Sequence, residues 1–141
     1  MTIVVDASVA LKWRVDEYGS EAAIVLRAEN DVAAPDLLLI ECRNALLTKT
    51  RRGELAVEDA RRAEAEIDAV GLDIVASTPL LPHAFALALD LGQPIYDCIY
   101  LSAAMFMDSR LVTADRRFAE AVARSEFAAH VELLATVPPS R

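Results

Sequence analysis

Five short apolar runs separated by helical stretches constrain this chain more than any other feature. The runs are TIVV (2–5), DVAAP (31–35), LDIVAS (72–77), RLVTA (110–114) and HVELLA (130–135). Between them, apolar spacing predicts a helical segment at Ala7–Trp13 and helices at 20–30, Leu37–Arg52, 57–70, 80–91, 97–107 and 115–124. Gly53, Gly71 and Gly92 stand where three of these helices should stop, and Asp36 stands where a cap for the Leu37–Arg52 helix is expected. Strands that alternate with helices throughout point to an α/β fold, a parallel central sheet flanked by helices on both faces. A chain of 141 residues suits one compact domain, 1–141, with a single core.

Composition narrows the function classes. Apolar residues make up 55% of the chain and charged residues 26%, which argues against disorder. No uncharged, proline-free run reaches the roughly 20 residues needed to cross a bilayer, so no membrane partner is expected. MTIVVDASVALKW lacks a basic leader and reads as a strand, so a signal peptide is not expected and a cytoplasmic location is. Cys42 and Cys98 form no C-x-x-C pair and are expected to be small buried groups. A net charge of −8 discourages nonspecific attraction to nucleic acid, so a polyanion would need a local basic patch or a bound cation.

In an open parallel sheet, ligands bind outside the carboxyl ends of the strands, near a topological switch point. Asp6 closes the first predicted strand and Asp115 the RLVTA strand, which places both on one edge. Asp97 opens an apolar helix after Pro94, where it can face the same edge. Glu41 lies one turn into its helix, with Leu37, Leu38 and Ala45 at neighbouring positions. Taken singly, Asp6, Asp97 and Asp115 are each explained as helix caps, worth about 1 kcal/mol. Glu41 has no cap to make, and burial on an apolar stripe demands a partner; Asn44, one turn on, is one candidate. Four carboxylates on one edge, with no lysine or arginine placed to neutralise them all, call for a divalent cation. Oxygen-only ligands suit Mg²⁺ or Mn²⁺ rather than zinc. Such an ion polarises phosphate and activates water.

Other chemistries lack their residues. His83 and His130 are the only histidines, and neither adjoins a nucleophile motif, so surface or cap roles are expected. There is no G-x-S-x-G and no Walker-type loop. Trp13 and the tyrosines are too scattered for a base-stacking platform and are expected in the core. KTRR (49–52) ends a helix, where bases complement the dipole or touch phosphates.

VVDASVALKW, PDLLLIECRNAL, YDCIYLSAA and LVTADRRF, in this order and spacing, resemble the four motifs of PIN-domain ribonucleases, most closely VapC-type toxins of bacterial toxin–antitoxin pairs. The resemblance covers nearly the whole length. It implies a PIN-like three-layer sandwich and Mg²⁺- or Mn²⁺-dependent endoribonuclease activity, with Asp6, Glu41, Asp97 and Asp115 as metal-binding, catalytic acids. Ser8, Asn44 and Thr113 would be supporting positions, and the inhibitor a small antitoxin. It further implies in-line attack of water on phosphorus, with one or two ions, leaving 5′-phosphate and 3′-hydroxyl ends. Lys12, Arg14, Lys49, Arg51, Arg52, Arg116 and Arg117 are candidates to guide the RNA backbone.

Two rivals remain. A receiver-type phosphoacceptor domain would need a lysine at a later strand end, and neither LDIVAS nor HVELLA supplies one. A noncatalytic PIN-fold binding module is opposed by the intact acid set. The alanine- and leucine-rich stretches HAFALALDLG and LSAAMFM predict apolar surface beyond the core, and with it a homodimer.

Overall fold

A computed structural model describes residues 1–68 and 71–135. It has five strands: β1 Thr2–Val5, β2 Asp31–Pro35, β3 Asp73–Val75, β4 Leu111–Thr113 and β5 Val131–Leu133. Each lies within its predicted apolar run. The helices are α1 Ala7–Ala10, α2 Ser20–Glu29, α3 Leu37–Arg51, α4 Val57–Ile67, α5 Leu81–Leu91, α6 Ile95–Phe106 and α7 Arg116–Ala123. The Ala7–Trp13 segment is α1 continued by a 3₁₀ turn, Leu11–Trp13. Residues 69 and 70, the last of the helix expected at 57–70, lie outside the described residues.

Two helix starts differ from expectation. The residue that opens α6 is Pro94, and Asp97 is the helix's third residue, where it makes no capping bond. Proline needs no partner for a missing N–H and its ring fixes φ, so α6 begins two residues early without a capping side chain. Asp36 precedes α3 but does not cap it by its own side chain. Its Oδ1 accepts from Ser77 N at 3.1 Å, and the Ser77 hydroxyl accepts from Leu37 N at 3.2 Å. The cap is thus borrowed from the chain following β3. The end of α5 behaves as predicted: Gly92, at φ +63°, turns the chain out of the helix while its N–H bonds Ala88 O at 2.9 Å.

All strands pair in parallel, in the order β3-β2-β1-β4-β5. The chain builds outward from β1 to β2 and β3, then crosses back to β4 on the other side of β1. The reversal makes the carboxyl end of β1 and β4 the switch point. Right-handed crossovers put the helices of the first half on one face and those of the second half on the other. Accordingly α1 packs on α3 and α3 on α4, while α6 packs against α5, β1, β2 and β4. These are the three layers of a doubly covered sheet.

Burial explains the apolar strand sequences. Ile3, Val4, Val5, Leu111 and Val112 are no more than 1% exposed, as strands covered on both faces require. Every residue of α6 from Cys98 to Ala104 is buried, so LSAAMFM is mostly core and contributes only Phe106 as a large exposed apolar group. HAFALALDLG differs: its Phe85 and Leu89, with Leu81 just before it, form an exposed stripe on α5. Cys42 and Cys98 are buried free thiols. Of the tyrosines only Tyr100 is core; Tyr18 and Tyr96 are exposed. Trp13 is half-buried, bonded to Ala23 O at 2.8 Å and covered by the Arg27 guanidinium. No helix among the described residues is long and apolar enough to cross a membrane.

Candidate functional site

The pairing register builds the first half of the site. Val5 lies opposite Val112, so one step on, Asp6 stands level with Thr113. The Thr113 hydroxyl donates to Asp6 Oδ2 and the Ser8 hydroxyl to Oδ1, each at 2.5 Å. Val9 N completes the set, because Asp6 also caps α1. Thr113 Oγ1 and Ser8 Oγ in turn accept from Asp115 N at 3.0 Å and Ala114 N at 2.9 Å, which ties the turn after β4 to the start of α1. Asp115 caps α7 through Phe118 N. Both caps expected at Asp6 and Asp115 are real, and both acids lie at the switch point nonetheless.

The second half comes from two helices. Glu41, half-buried on α3, accepts a 2.6 Å bond from the Tyr100 hydroxyl of α6. Asp97, one turn earlier on α6, is half-buried and has no hydrogen bond among the described residues. The sequence places Tyr100 in the core and assigns it no part in the acid site. A signal existed: it sits three residues after Asp97 in an apolar helix, and a buried tyrosine hydroxyl needs a partner. Asn44 is exposed, and no hydrogen bond joins it to Glu41 among the described residues.

The charges of the four acids act on one another. Burial pushes the Asp97 carboxyl up to about 6, and the charges of Asp115, Asp6 and Glu41 push the same way. Asp6 is raised by burial and by Glu41, against the lowering effect of its bonds from Ser8, Thr113 and Val9. Burial, then the bond to Glu41, drives the Tyr100 hydroxyl far up, so it stays a donor. Burial and the nearby acids raise the Cys42 thiol to about 12 and, through Asp97, the Cys98 thiol to about 11, which keeps both neutral.

None of the ion pairs among the described residues engages these acids. Several candidate bases are committed elsewhere. Lys12 and Lys49 both hold Glu17, at 3.3 and 2.7 Å, and Arg14 pairs with Glu66 at 3.5 Å. Arg116 reaches Glu120 only at 4.0 Å, while Arg51, Arg52 and Arg117 have no partner among the described residues. The histidines are not free surface groups: His83 Nδ1 bonds the buried Ser102 hydroxyl, and His130 Nδ1 bonds Ser109 O, both at 2.7 Å.

The donor set is entirely oxygen, which fits a hard divalent ion. Among the described residues no three His, Cys, Asp or Glu side chains form a ready-made cage. Mg²⁺ does not require one, since it keeps several waters and takes one or two carboxylates directly. The uncompensated, half-buried charge at Asp97 is what such an ion would neutralise.

The PIN-domain family model matches residues 3–123. Ribonuclease VapC3 of Pyrobaculum aerophilum is 32% identical over 123 residues, which are 85% of this chain and 94% of that protein. Three solved structures share the fold. PAE2754 from Pyrobaculum aerophilum superposes with a TM-score of 0.69 at 23% identity, covering 93% of this chain and 83% of its own. A toxin–antitoxin complex from Klebsiella pneumoniae gives 0.62 at 13% identity over 96% of this chain and 99% of that one. VapBC2 from Rickettsia felis, bound to a promoter DNA fragment, gives 0.63 at 14% identity over 96% and 100%.

Proposed function

Because this chain belongs to the PIN-domain family, we propose that it is a divalent-metal-dependent endoribonuclease, the toxin of a toxin–antitoxin pair. The observation that carries the reading is the group of four acids at the β1–β4 switch point, left without a basic partner among the described residues. The kinship with ribonuclease VapC3 supports RNA as substrate.

Asp6, Glu41, Asp97 and Asp115 would hold Mg²⁺ or Mn²⁺. Such an ion would supply Lewis acidity to a phosphate and lower the pKa of water bound to it toward neutrality. Ser8 and Val9 N bond Oδ1 and Thr113 bonds Oδ2, which orients Asp6 and leaves Oδ2 an acceptor position for an ion. Asp97 carries the charge that binding must compensate. Arg116 and Arg117, exposed and adjacent to Asp115, are the bases best placed to meet an RNA backbone. Arg51 and Arg52 are available, whereas Lys12, Arg14 and Lys49 are held by acids. Asn44, exposed one turn beyond Glu41, is a candidate contact to RNA.

Two surfaces suit protein partners. The α5 stripe of Leu81, Phe85 and Leu89 suits a second copy of the chain. A groove between α3 and α4, lined by Leu46, Leu47, Val57 and Ala60 with Arg43 and Arg61 at its rim, suits an antitoxin segment. The Klebsiella structure is a toxin–antitoxin complex, which supports a partner of that class.

The direct test is cleavage of total RNA by the purified chain in Mn²⁺ and then in excess EDTA. Fragments with 5′-phosphate ends in Mn²⁺, and none in EDTA, are expected. Equal cleavage in both would overturn the metal mechanism, and no cleavage in either would favour the noncatalytic binding module.

A further inference from the structure

We propose that Tyr100 is a positioning residue of the acid site, fixing Glu41 so that Oε2 is the oxygen left to face a divalent ion. This rests on the divalent-cation reading above. Tyr100 is 1% exposed, and its ring is locked in the core of α6. Its hydroxyl does not turn to a backbone carbonyl. It crosses to another helix and meets Glu41 Oε1 at 2.6 Å.

The other acids show what this bond replaces. Asp6 is held by two hydroxyls and an amide, and Asp115 by the amide it caps. Glu41 has one more methylene than either, and its neighbours Leu37, Leu38 and Ala45 carry no donor. Without the phenol, its carboxylate would sample several rotamers and pay that entropy on meeting an ion. Asp97 and Tyr100 are three residues apart on α6 and so share a helix face. One rigid helix therefore carries one acid and aligns another, which sets the spacing between them.

Partners that orient metal ligands typically change affinity by about 10–100-fold when removed. Mn²⁺ titrated calorimetrically into EDTA-stripped protein reads this without any RNA. Tyr100→Phe keeps the ring in the core and should weaken Mn²⁺ binding by about 10-fold or more. Glu41→Gln should weaken it as well, and the double variant should bind no worse than Glu41→Gln alone, because the phenol acts only through that carboxylate. Losses that multiply in the double variant, or unchanged affinity in Tyr100→Phe, would overturn the proposal. If the wild type binds Mn²⁺ and Glu41→Gln weakens it, failure of Tyr100→Phe removes Tyr100 alone. A wild type that binds no Mn²⁺ removes the metal reading and Tyr100 with it. Glu41→Asp leaves the core untouched but withdraws the carboxylate from the phenol, so it tests the contact even if Tyr100→Phe does not fold. Its affinity should fall by about 10-fold or more, and wild-type affinity there would overturn the proposal.

Discussion

The two halves of the acid site are built on different principles. On the strand side, Asp6 is 7% exposed and held by Ser8, Thr113 and Val9, and Asp115 is fixed by its own helix. On the helix side, Glu41 rests on one tyrosine, and Asp97 has no hydrogen bond among the described residues. The strand half is held by hydrogen bonds within the fold itself. The helix half holds charge that the described fold does not neutralise, at a carboxyl raised to about 6. A scaffold that supports one acid so completely and leaves another uncompensated is arranged for a cation to finish.

The largest expected effect falls on catalysis and joins the halves. Asp6→Asn and Asp97→Asn should each lower the rate of RNA cleavage by more than about 100-fold, beyond the range for groups that merely support ligands. Neither change should unfold the chain. The Ser8 and Thr113 hydroxyls can accept as well as donate, so they accommodate an amide at position 6. A quench-flow or gel assay in Mn²⁺ measures the rate. If Asp6→Asn stayed active while Asp97→Asn did not, the strand half would be structural only.

The next effect separates the halves by metal binding. A ligand present at about 100 times its dissociation constant stabilises the folded state by about 2.7 kcal/mol. Saturating Mn²⁺ should therefore raise the melting temperature of the wild type by several degrees in scanning calorimetry. Asp97→Asn should gain much less. In EDTA that variant should melt no lower than wild type, since it relieves repulsion from Asp115, Asp6 and Glu41. Equal Mn²⁺ shifts in the two proteins would make Asp97 a bystander.

The same division separates what was legible in the sequence from what was not. Asp6 and Asp115 follow apolar runs directly, and the runs dictate a parallel sheet, so their shared edge could be read from spacing alone. Helix starts were less legible. Asp97 looked like a cap because aspartate favours that position, yet Pro94 starts α6 and removes that explanation. Asp36 looked like a cap for the same reason, whereas the bond comes from Ser77 across the sheet. Long-range partners are silent in sequence: nothing near Glu41 announces Tyr100, and nothing near Lys12 or Lys49 announces that Glu17 holds both. Local pattern encodes which residues reach an edge. Register and packing decide what they touch there.

A smaller effect should expose the rigidity of the strand half. Thr113 is fully buried, and its hydroxyl serves both Asp6 Oδ2 and Asp115 N. Thr113→Val keeps the shape and removes both bonds, leaving a buried carboxylate oxygen without its donor. The cost should be about 1–3 kcal/mol, read from the urea midpoint in EDTA. Ser8→Ala should cost less, because Ser8 is half-buried and water can replace its hydroxyl. Equal and negligible costs would mean that the hydrogen bonds around Asp6 do not stiffen it.

The smallest effect is the dependence of stability on pH, and its sign tests the helix half. Asp97 titrates at about 6 in the folded chain against an ordinary 3.8, so the folded state holds that proton more tightly than the unfolded state does. Its contribution to stability is complete below about pH 4 and is lost as pH rises through about 6. In EDTA the wild type should therefore lose stability between about pH 4 and 7 relative to Asp97→Asn, which has no proton to lose there. The shift taken whole corresponds to about 3 kcal/mol. Screening by water at a half-buried carboxyl reduces the expected difference to roughly 1 kcal/mol. In Mn²⁺ the trend reverses, because the ion binds the deprotonated acid and competes with the proton. Wild-type stability should then climb over the same window, and the EDTA and Mn²⁺ curves should diverge with rising pH. Urea midpoints at half-unit steps resolve the two slopes. Wild-type and Asp97→Asn curves that run parallel in EDTA would show that the fold already compensates the Asp97 charge, and the contrast between the two halves would disappear.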